Sequence, residues 1–314
     1  MKILITGGAG FIGSHLAEKL LQKKNQVFVF DDLSTGSRGN IRPFIKNKRF
    51  FFKKGSILNI KELAPFVKKA DQIYHLAAAV GVKHIIENPL KTLLTNIEGT
   101  KNVLELAAKS KTPILITSSS EVYGKNSSLP FKETADRTYG SVYSERWGYA
   151  LSKSVDECLA LAYWKKQRLP AVVVRLFNTV GPRQTGRYGM VIPTFIAQAK
   201  ENKPITVYGT GTQMRCFSHV EDIIKAMIKL MNASKARGEI INLGSTESIS
   251  MMDLARKIKK MTQSTSRIVK IPYKKAYSST FEDMQKRIPD LKKAHALIGY
   301  KPTYALDNII RSMM

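Results

Sequence analysis

Tyr149 and Lys153 stand four residues apart in Tyr-Ala-Leu-Ser-Lys, where a helical pattern begins. Residues at that spacing share one face of a helix, so a phenol is set beside an ammonium. A free tyrosine has a pKa near ~10, and substantial ionisation at neutral pH needs about 4 kcal/mol. A fixed positive charge ~5 Å away, at an effective dielectric of ~20, supplies roughly 3 kcal/mol before desolvation is subtracted. Lys153 alone falls short of making the phenol a general base, and a second cation would close the gap. Leu151, Val155, Cys158, Leu159 and Ala162 form an apolar stripe roughly opposite the pair, which is therefore not simply core filling.

The elements upstream say what the second cation is. Lys2–Thr6 reads as a short buried strand. It is followed by Gly7-Gly-Ala-Gly10-Phe11-Ile12-Gly13 and an amphipathic helix over Ser14–Lys23. A glycine-rich turn between strand and helix lets the backbone approach a pyrophosphate and aims helix N-terminal amides at it. A second strand, Gln26–Phe30, ends in Asp31, about 20 residues past the loop, where an acid meets the adenosine ribose hydroxyls. That carboxylate repels a 2′-phosphate, so the pattern predicts NAD in preference to NADP. An oxidised nicotinamide ring would then supply the missing charge.

The alternation continues with strands at Arg49–Lys53, Asp71–Leu76, Pro113–Thr117 and Ala171–Leu176, and helices at Ile60–Lys68 and Thr95–Ser110. This order predicts an α/β fold with a Rossmann-like, doubly wound parallel sheet. Ala77-Ala78-Ala79 follow one strand, leaving room for a ligand or for close helix packing. Ser118-Ser119-Ser120-Glu121 follow another, at the carboxyl edge where this fold binds ligands. Three hydroxyls and a carboxylate there could bond a sugar, or form a serine-rich turn. After Asn178 the alternation gives way to loops and short elements, the pattern of a smaller substrate-binding domain.

Composition bounds the rest. A chain of 314 residues, 43% hydrophobic and 24% charged, is long enough for a substantial core and has the make-up of a globular protein. No apolar run approaches the ~18 residues of a membrane span. The chain opens directly on a strand, and with no signal peptide ahead of it a cytoplasmic location is expected. Cys158 and Cys216 are far apart and match no zinc or redox spacing, and the five histidines show no metal-ligand spacing. The net charge of +27 favours anionic partners. The basic residues are nevertheless spread along the chain without an arginine-rich tail, so a lysine-rich solvated surface is expected and a nucleic-acid partner is not.

Gly7-xx-Gly10-xx-Gly13, Asp31, Leu76-Ala-Ala-Ala79, Asn96, Ser119, Tyr149-xxx-Lys153 and Arg175-Leu-Phe-Asn178 occur in this order over essentially the whole chain. The set resembles the extended short-chain dehydrogenase/reductase family, and within it the nucleotide-sugar epimerases, dehydratases and decarboxylases. The resemblance implies a cofactor domain over 1–177, with about 216–245 returning to it, and a smaller nucleotide-sugar domain over 178–314. It implies NAD contacts from Gly7, Gly10, Phe11, Ile12, Gly13, Asp31, Asp32, Ser56, Ile57, Leu76, Ala77, Ala78, Asn96, Tyr149 and Lys153. Ser56 stands where many relatives carry an aspartate near the adenine. For the UDP-sugar it implies Ser119, Asn178 and Val191, with Tyr208 stacking on the base and Arg215 and Arg287 holding the diphosphate. Relatives commonly pair as homodimers through two helices per subunit.

For chemistry, the resemblance implies proton transfer at the sugar 4-hydroxyl by Tyr149, aided by Lys153 and Ser119, while NAD accepts hydride from C4. Glu121 stands where dehydratases and decarboxylases of the family carry a working glutamate. Ser120, where dehydratases usually have aspartate, argues against dehydration. Ser-Glu-Val-Tyr-Gly, Phe-Asn-Thr-x-Gly-Pro-Arg and Arg-x-Pro-Asp match the UDP-glucuronate decarboxylases. Leu76–Val82 and Glu145-Arg-Trp-Gly-Tyr149 look more like a bacterial group of 4-epimerases. The expectation is a UDP-hexose or UDP-glucuronate 4-epimerase, ahead of a decarboxylase forming UDP-xylose and of a catalytically silent NAD- or RNA-binding relative. Arg183, Arg187 or Arg215 could meet a uronate carboxylate.

Overall fold

The computed structural model describes residues 1–144, 146–186, 189–276 and 282–314; Glu145 and Arg187 lie outside them. Short runs of Ile, Val, Leu and Phe build the first strands: Lys2–Thr6 (β1), Gln26–Asp31 (β2) and Phe50–Lys54 (β3). Phe11–Gln22 (α1), Arg38–Ile41 (α2) and Ile60–Lys69 (α3) join them and lead on to Gln72–His75 (β4). Val82–Glu87 (α4) and Pro89–Ser110 (α5) precede Ile114–Ser119 (β5). α5 starts six residues before the expected Thr95, because Pro89 at its first position needs no amide partner and carries a favourable φ. Arg146–Gln167 (α6) and Ala171–Leu176 (β6) follow.

The seven-stranded sheet has the order β11-β6-β5-β4-β1-β2-β3, with every pairing parallel. Its last member comes from late in the chain. After Thr179–Val180 (β7), Val191–Lys200 (α7), Ile205–Tyr208 (β8), Met214–Cys216 (β9) and Ser218–His219 (β10), the helix Val220–Asn232 (α8) leads into Ile240–Leu243 (β11) beside β6. Strand order reverses between β1 and β4, and a crevice forms there at the carboxyl ends.

Two apolar layers flank the sheet. Leu16 and Leu20 of α1 meet Ile223 and Met227 of α8 on one face. Leu63 of α3, Leu104 of α5 and Ala160 of α6 cover the other. A third core joins α7 and β8 to Met251–Met261 (α9) and Leu306–Met313 (α12), through Phe195, Leu254 and Ile309. Small sheets complete this part: Ser248–Ser250 (β12) and Lys286–Arg287 (β14) flank β9, and Ile268–Ile271 (β13) pairs with β8. Tyr273–Ala276 (α10) and Lys292–Ile298 (α11) fill the remaining described turns. Among the described residues, no helix is long and apolar enough to cross a membrane.

α6 runs against the pattern of its neighbours. Its apolar stripe is the outward one, with Leu151 39% and Val155 38% exposed, while Ser152, Lys153, Asp156 and Glu157 are buried. Glu157 explains how such a helix docks. Its carboxylate accepts both nitrogens of an Arg175 fork from β6 at 2.8 Å, the Ser118 hydroxyl from β5 at 2.6 Å and Arg137 at 2.6 Å. Charge-assisted bonds to a fully consumed carboxylate add to the apolar packing of Leu159, Ala160 and Tyr163 further along the helix.

Candidate active site

A cavity of about 740 Å³ opens at the switch point, between the carboxyl end of the sheet and the elements around the third core. Its floor is the turn after β1. Gly7 has φ +72°, and a Cβ there would stand 2.6 Å from the Ala77 amide nitrogen; a Cβ on Gly13 would stand 2.2 Å from the Gly7 carbonyl oxygen. Glycine at both positions lets β1, α1 and the end of β4 converge this closely. No side chain caps the first amides of α1, which leaves them facing the cavity mouth where Gly10, Phe11 and Ile12 also lie. This is an anion cradle.

Asp31 and Asp32 at the end of β2 line the same end of the cavity, together with Ile57, Leu76, Ala77 and Ala78. The Asp31 carboxylate accepts the amides of Ala9 (2.9 Å) and Leu33 (2.8 Å), and burial raises its pKa against those bonds. Two predicted contacts fall elsewhere. Ser56 lines a separate small cavity beside Asp32. Asn96 is wholly buried and does not line the main cavity: its Oδ1 accepts the Ala79 amide at 2.8 Å and its Nδ2 donates to Ser152 at 3.0 Å. Asn96 is thus corrected from a direct contact to a brace between the loop after β4 and α6.

At the other end, β5 delivers Ser119, whose hydroxyl accepts the Glu121 amide at 3.2 Å and starts a single 3-10 turn over Ser120–Tyr123. That turn aims Glu121 into the cavity beside Tyr149 and Lys153. Burial raises the Tyr149 pKa and the Glu121 charge raises it further, while a hydrogen bond with Ser119 works the other way. The Lys153 ammonium pairs with Asp156 at 2.7 Å, and burial leaves the Tyr149 phenol above the ordinary tyrosine range.

The side chains around Glu121 form a cluster of three arginines and two carboxylates. Arg146 reaches both Glu121 oxygens at 3.1 Å, and Arg287 reaches one at 2.5 Å. Asp283 lies 3.2 Å from Arg146 and 2.8 Å from Arg215, and accepts the Tyr273 hydroxyl at 2.7 Å. Burial would raise Glu121, but Arg146 and Arg287 outweigh it and hold the carboxyl below its usual range. Burial, with Arg287 close by, brings Arg215 down to about 10. Arg215 and Arg287 both line the cavity, each engaged with a carboxylate. Arg146 and Asp283 join them without having been singled out as site residues, because their charged partners lie 25 to 137 residues away in the chain.

Val191 at the head of α7 and Tyr208 at the end of β8 line the cavity wall. Asn178 lines it too, with its Nδ2 donating to the Cys216 carbonyl at 2.9 Å. Arg183 reaches the cavity from the other side, paired with Glu18 at 2.5 Å and 3.5 Å from the Ser14 hydroxyl. It lies by α1, away from the arginine cluster.

The family model described as GDP-mannose 4,6 dehydratase matches residues 4–313. A UDP-N-acetyl-alpha-D-glucosaminuronate decarboxylase of Bacillus cytotoxicus is 41% identical over 309 residues, covering 96% of this chain and 92% of that one. UDP-glucuronic acid decarboxylase 1 of Danio rerio is 36% identical over 308 residues, covering 98% and 70%. Among solved structures, a UDP-glucuronic acid 4-epimerase from Bacillus cereus in complex with UDP-glucuronic acid and NAD superposes with a TM-score of 0.89. It is 31% identical and covers 100% of this chain and 98% of that one.

Proposed function

Since this chain belongs to the GDP-mannose 4,6-dehydratase family of extended short-chain dehydrogenases/reductases, NAD-dependent enzymes of nucleotide sugars, we propose that it decarboxylates a UDP-hexuronate. The residues present fit NAD. The close-packed glycine turn and the uncapped first amides of α1 would hold a pyrophosphate, and Asp31 at the end of β2 would meet the ribose hydroxyls.

The observation that carries the reaction is Glu121 held beside Tyr149 between Arg146 and Arg287, with Arg215 paired to Asp283 next to them. Guanidinium forks of this kind receive a carboxylate in bidentate fashion, as a uronate would present it. NAD would supply an acceptor for the C4 hydride and a donor to return it; with C4 transiently a ketone, the C6 carboxylate stands β to a carbonyl and is readily lost as carbon dioxide. Tyr149, next to Ser119, holds and moves the proton at the sugar 4-oxygen. Arg146 and Arg287 draw in the sugar carboxylate, and Glu121 between them keeps that pairing from becoming so tight that the carboxylate stays. Decarboxylases among the relatives support this reading over the 4-epimerase expected from Leu76–Val82 and the residues before Tyr149. The likeness to the Bacillus cereus 4-epimerase favours a second reading, inversion at C4 of the same uronate.

The test is to incubate the protein with UDP-glucuronate and, separately, UDP-N-acetylglucosaminuronate, and to follow mass and proton NMR. Loss of carbon dioxide from either supports the proposal. A C4-inverted uronate of unchanged mass replaces it with the second reading, and no turnover of either sinks both. As a dimer, two copies would pair through α5 and α6, which pack side by side and leave Leu90, Leu94, Leu151 and Val155 exposed.

A further inference from the structure

We propose that the amino-terminal end of the seven-stranded sheet is a docking face for an anionic lipid leaflet. The basic residues are spread along the chain, but the topology gathers many of them in one place. Where every pairing is parallel, each helix returns the chain to the same end, so helix C-termini and strand starts lie together. Six connections meet there, 23–25, 45–49, 68–71, 109–113, 165–170 and 233–239, ahead of β2, β3, β4, β5, β6 and β11.

These connections carry eleven lysines and three arginines, all of them exposed. Against them stand two carboxylates, and both are engaged. Asp71 accepts the Lys2 amide at 2.7 Å, and Glu239 pairs with Lys293 at 2.6 Å. Among the described residues, Lys109 alone of these cations has a carboxylate partner, Glu105 at 2.8 Å. The buried cations of the chain differ, with Arg146, Arg175, Arg215 and Arg287 all in ion pairs. Helix dipoles account for a cation at each helix end, but not for Lys46, Lys48 and Arg49, which follow no long helix. The end face is therefore an unneutralised layer of positive charge about 29 Å across, from six strand spacings of ~4.8 Å.

The occupant follows from the chemistry of that layer. A plane of phosphate headgroups meets all six connections at once, and each basic residue near it adds to the attraction. Ile45, 45% exposed beside Lys46, offers an apolar contact for the headgroup region. No aromatic residue stands in the six connections for a base to stack on, and lysines outnumber arginines. A nucleic acid would find the charge there without the stacking platforms. The cavity opens at the carboxyl ends of the same strands, so a docked molecule keeps it facing the aqueous side.

The test is sedimentation of the whole chain with vesicles of phosphatidylcholine, either alone or mixed with phosphatidylglycerol. Binding is expected to the mixed vesicles only, and it should weaken as salt is raised. Lys24→Glu, Lys48→Glu and Arg49→Glu together should weaken it about a hundredfold, with NAD binding as in the parent. A second triple variant of the same net charge, Lys260→Glu, Arg267→Glu and Lys270→Glu around the third core, should bind vesicles as the parent does. Equal loss in both variants makes the effect one of net charge and overturns the proposal. So does a parent that ignores the mixed vesicles or binds both kinds alike. A parent that ignores vesicles and binds single-stranded RNA, with the first variant losing it, assigns the face to nucleic acid and overturns the lipid reading. Should glutamates prevent folding, glutamine at the same positions in both variants is read against the same outcomes. None of these readings depends on which sugar the chain acts on.

Discussion

α6 and α8 pack against opposite faces of the same sheet and solve the packing problem in opposite ways. α8 buries Val220, Ile223, Ile224, Met227 and Leu230 and turns Lys225 and Lys229 to solvent. α6 buries Lys153, Asp156 and Glu157 and turns Leu151 and Val155 outward. α8 is held by area removed from water, which is tolerant in direction. α6 is held by ion pairs whose geometry is fixed by Arg175, Arg137 and Ser118, and it carries Tyr149 into the cavity on that frame. Precision at the site is thus supplied by a helix that buries charged groups against the sheet.

Substitutions on the two helices should separate these roles. The largest effect is expected at Tyr149→Phe, which removes the proton-transfer group and should cost about a thousandfold in turnover. NAD should remain bound and thermal unfolding should hardly move. Unchanged turnover would take the chemistry away from α6 altogether. On α8 the order reverses. Ile223→Ala opens a cavity in the core and should lower unfolding free energy by about 2–5 kcal/mol in denaturant titrations, with kcat per folded molecule preserved. The smallest effect on the fold is expected at Val155→Asp, less than about 0.5 kcal/mol for an exposed site. That variant should instead abolish pairing of two copies in sedimentation; a dimer that persists would mean the outward stripe of α6 is not the contact.

The parts legible from sequence were those written in short-range spacing. The glycine turn, Asp31 one unit later and the strand–helix alternation are local patterns, and the sheet order follows once parallel crossovers are assumed. Tyr149 and Lys153 were legible as a pair because four residues make one helical turn. The pairing of Lys153 with Asp156 was not, since it is made by side-chain direction and burial. The apolar stripe of α6 was visible, but which way it faces depends on Arg175 and Ser118, far away in the chain. Arg146 meets Glu121 and Asp283 only when three distant segments are brought together. Asn96 was found by motif, and only tertiary packing turns it from the cavity to the Ala79 amide.

β11 covers the outer side of β6 and takes the edge position itself, although 63 residues separate the end of one from the start of the other. During synthesis, β6 leaves the ribosome with an unpaired row of amides and carbonyls that stays open while the next segment is translated. Such an edge is a template for strands of other nascent chains. The order of segments in this gene thus sets a window in which the half-made protein depends on dilution or a chaperone.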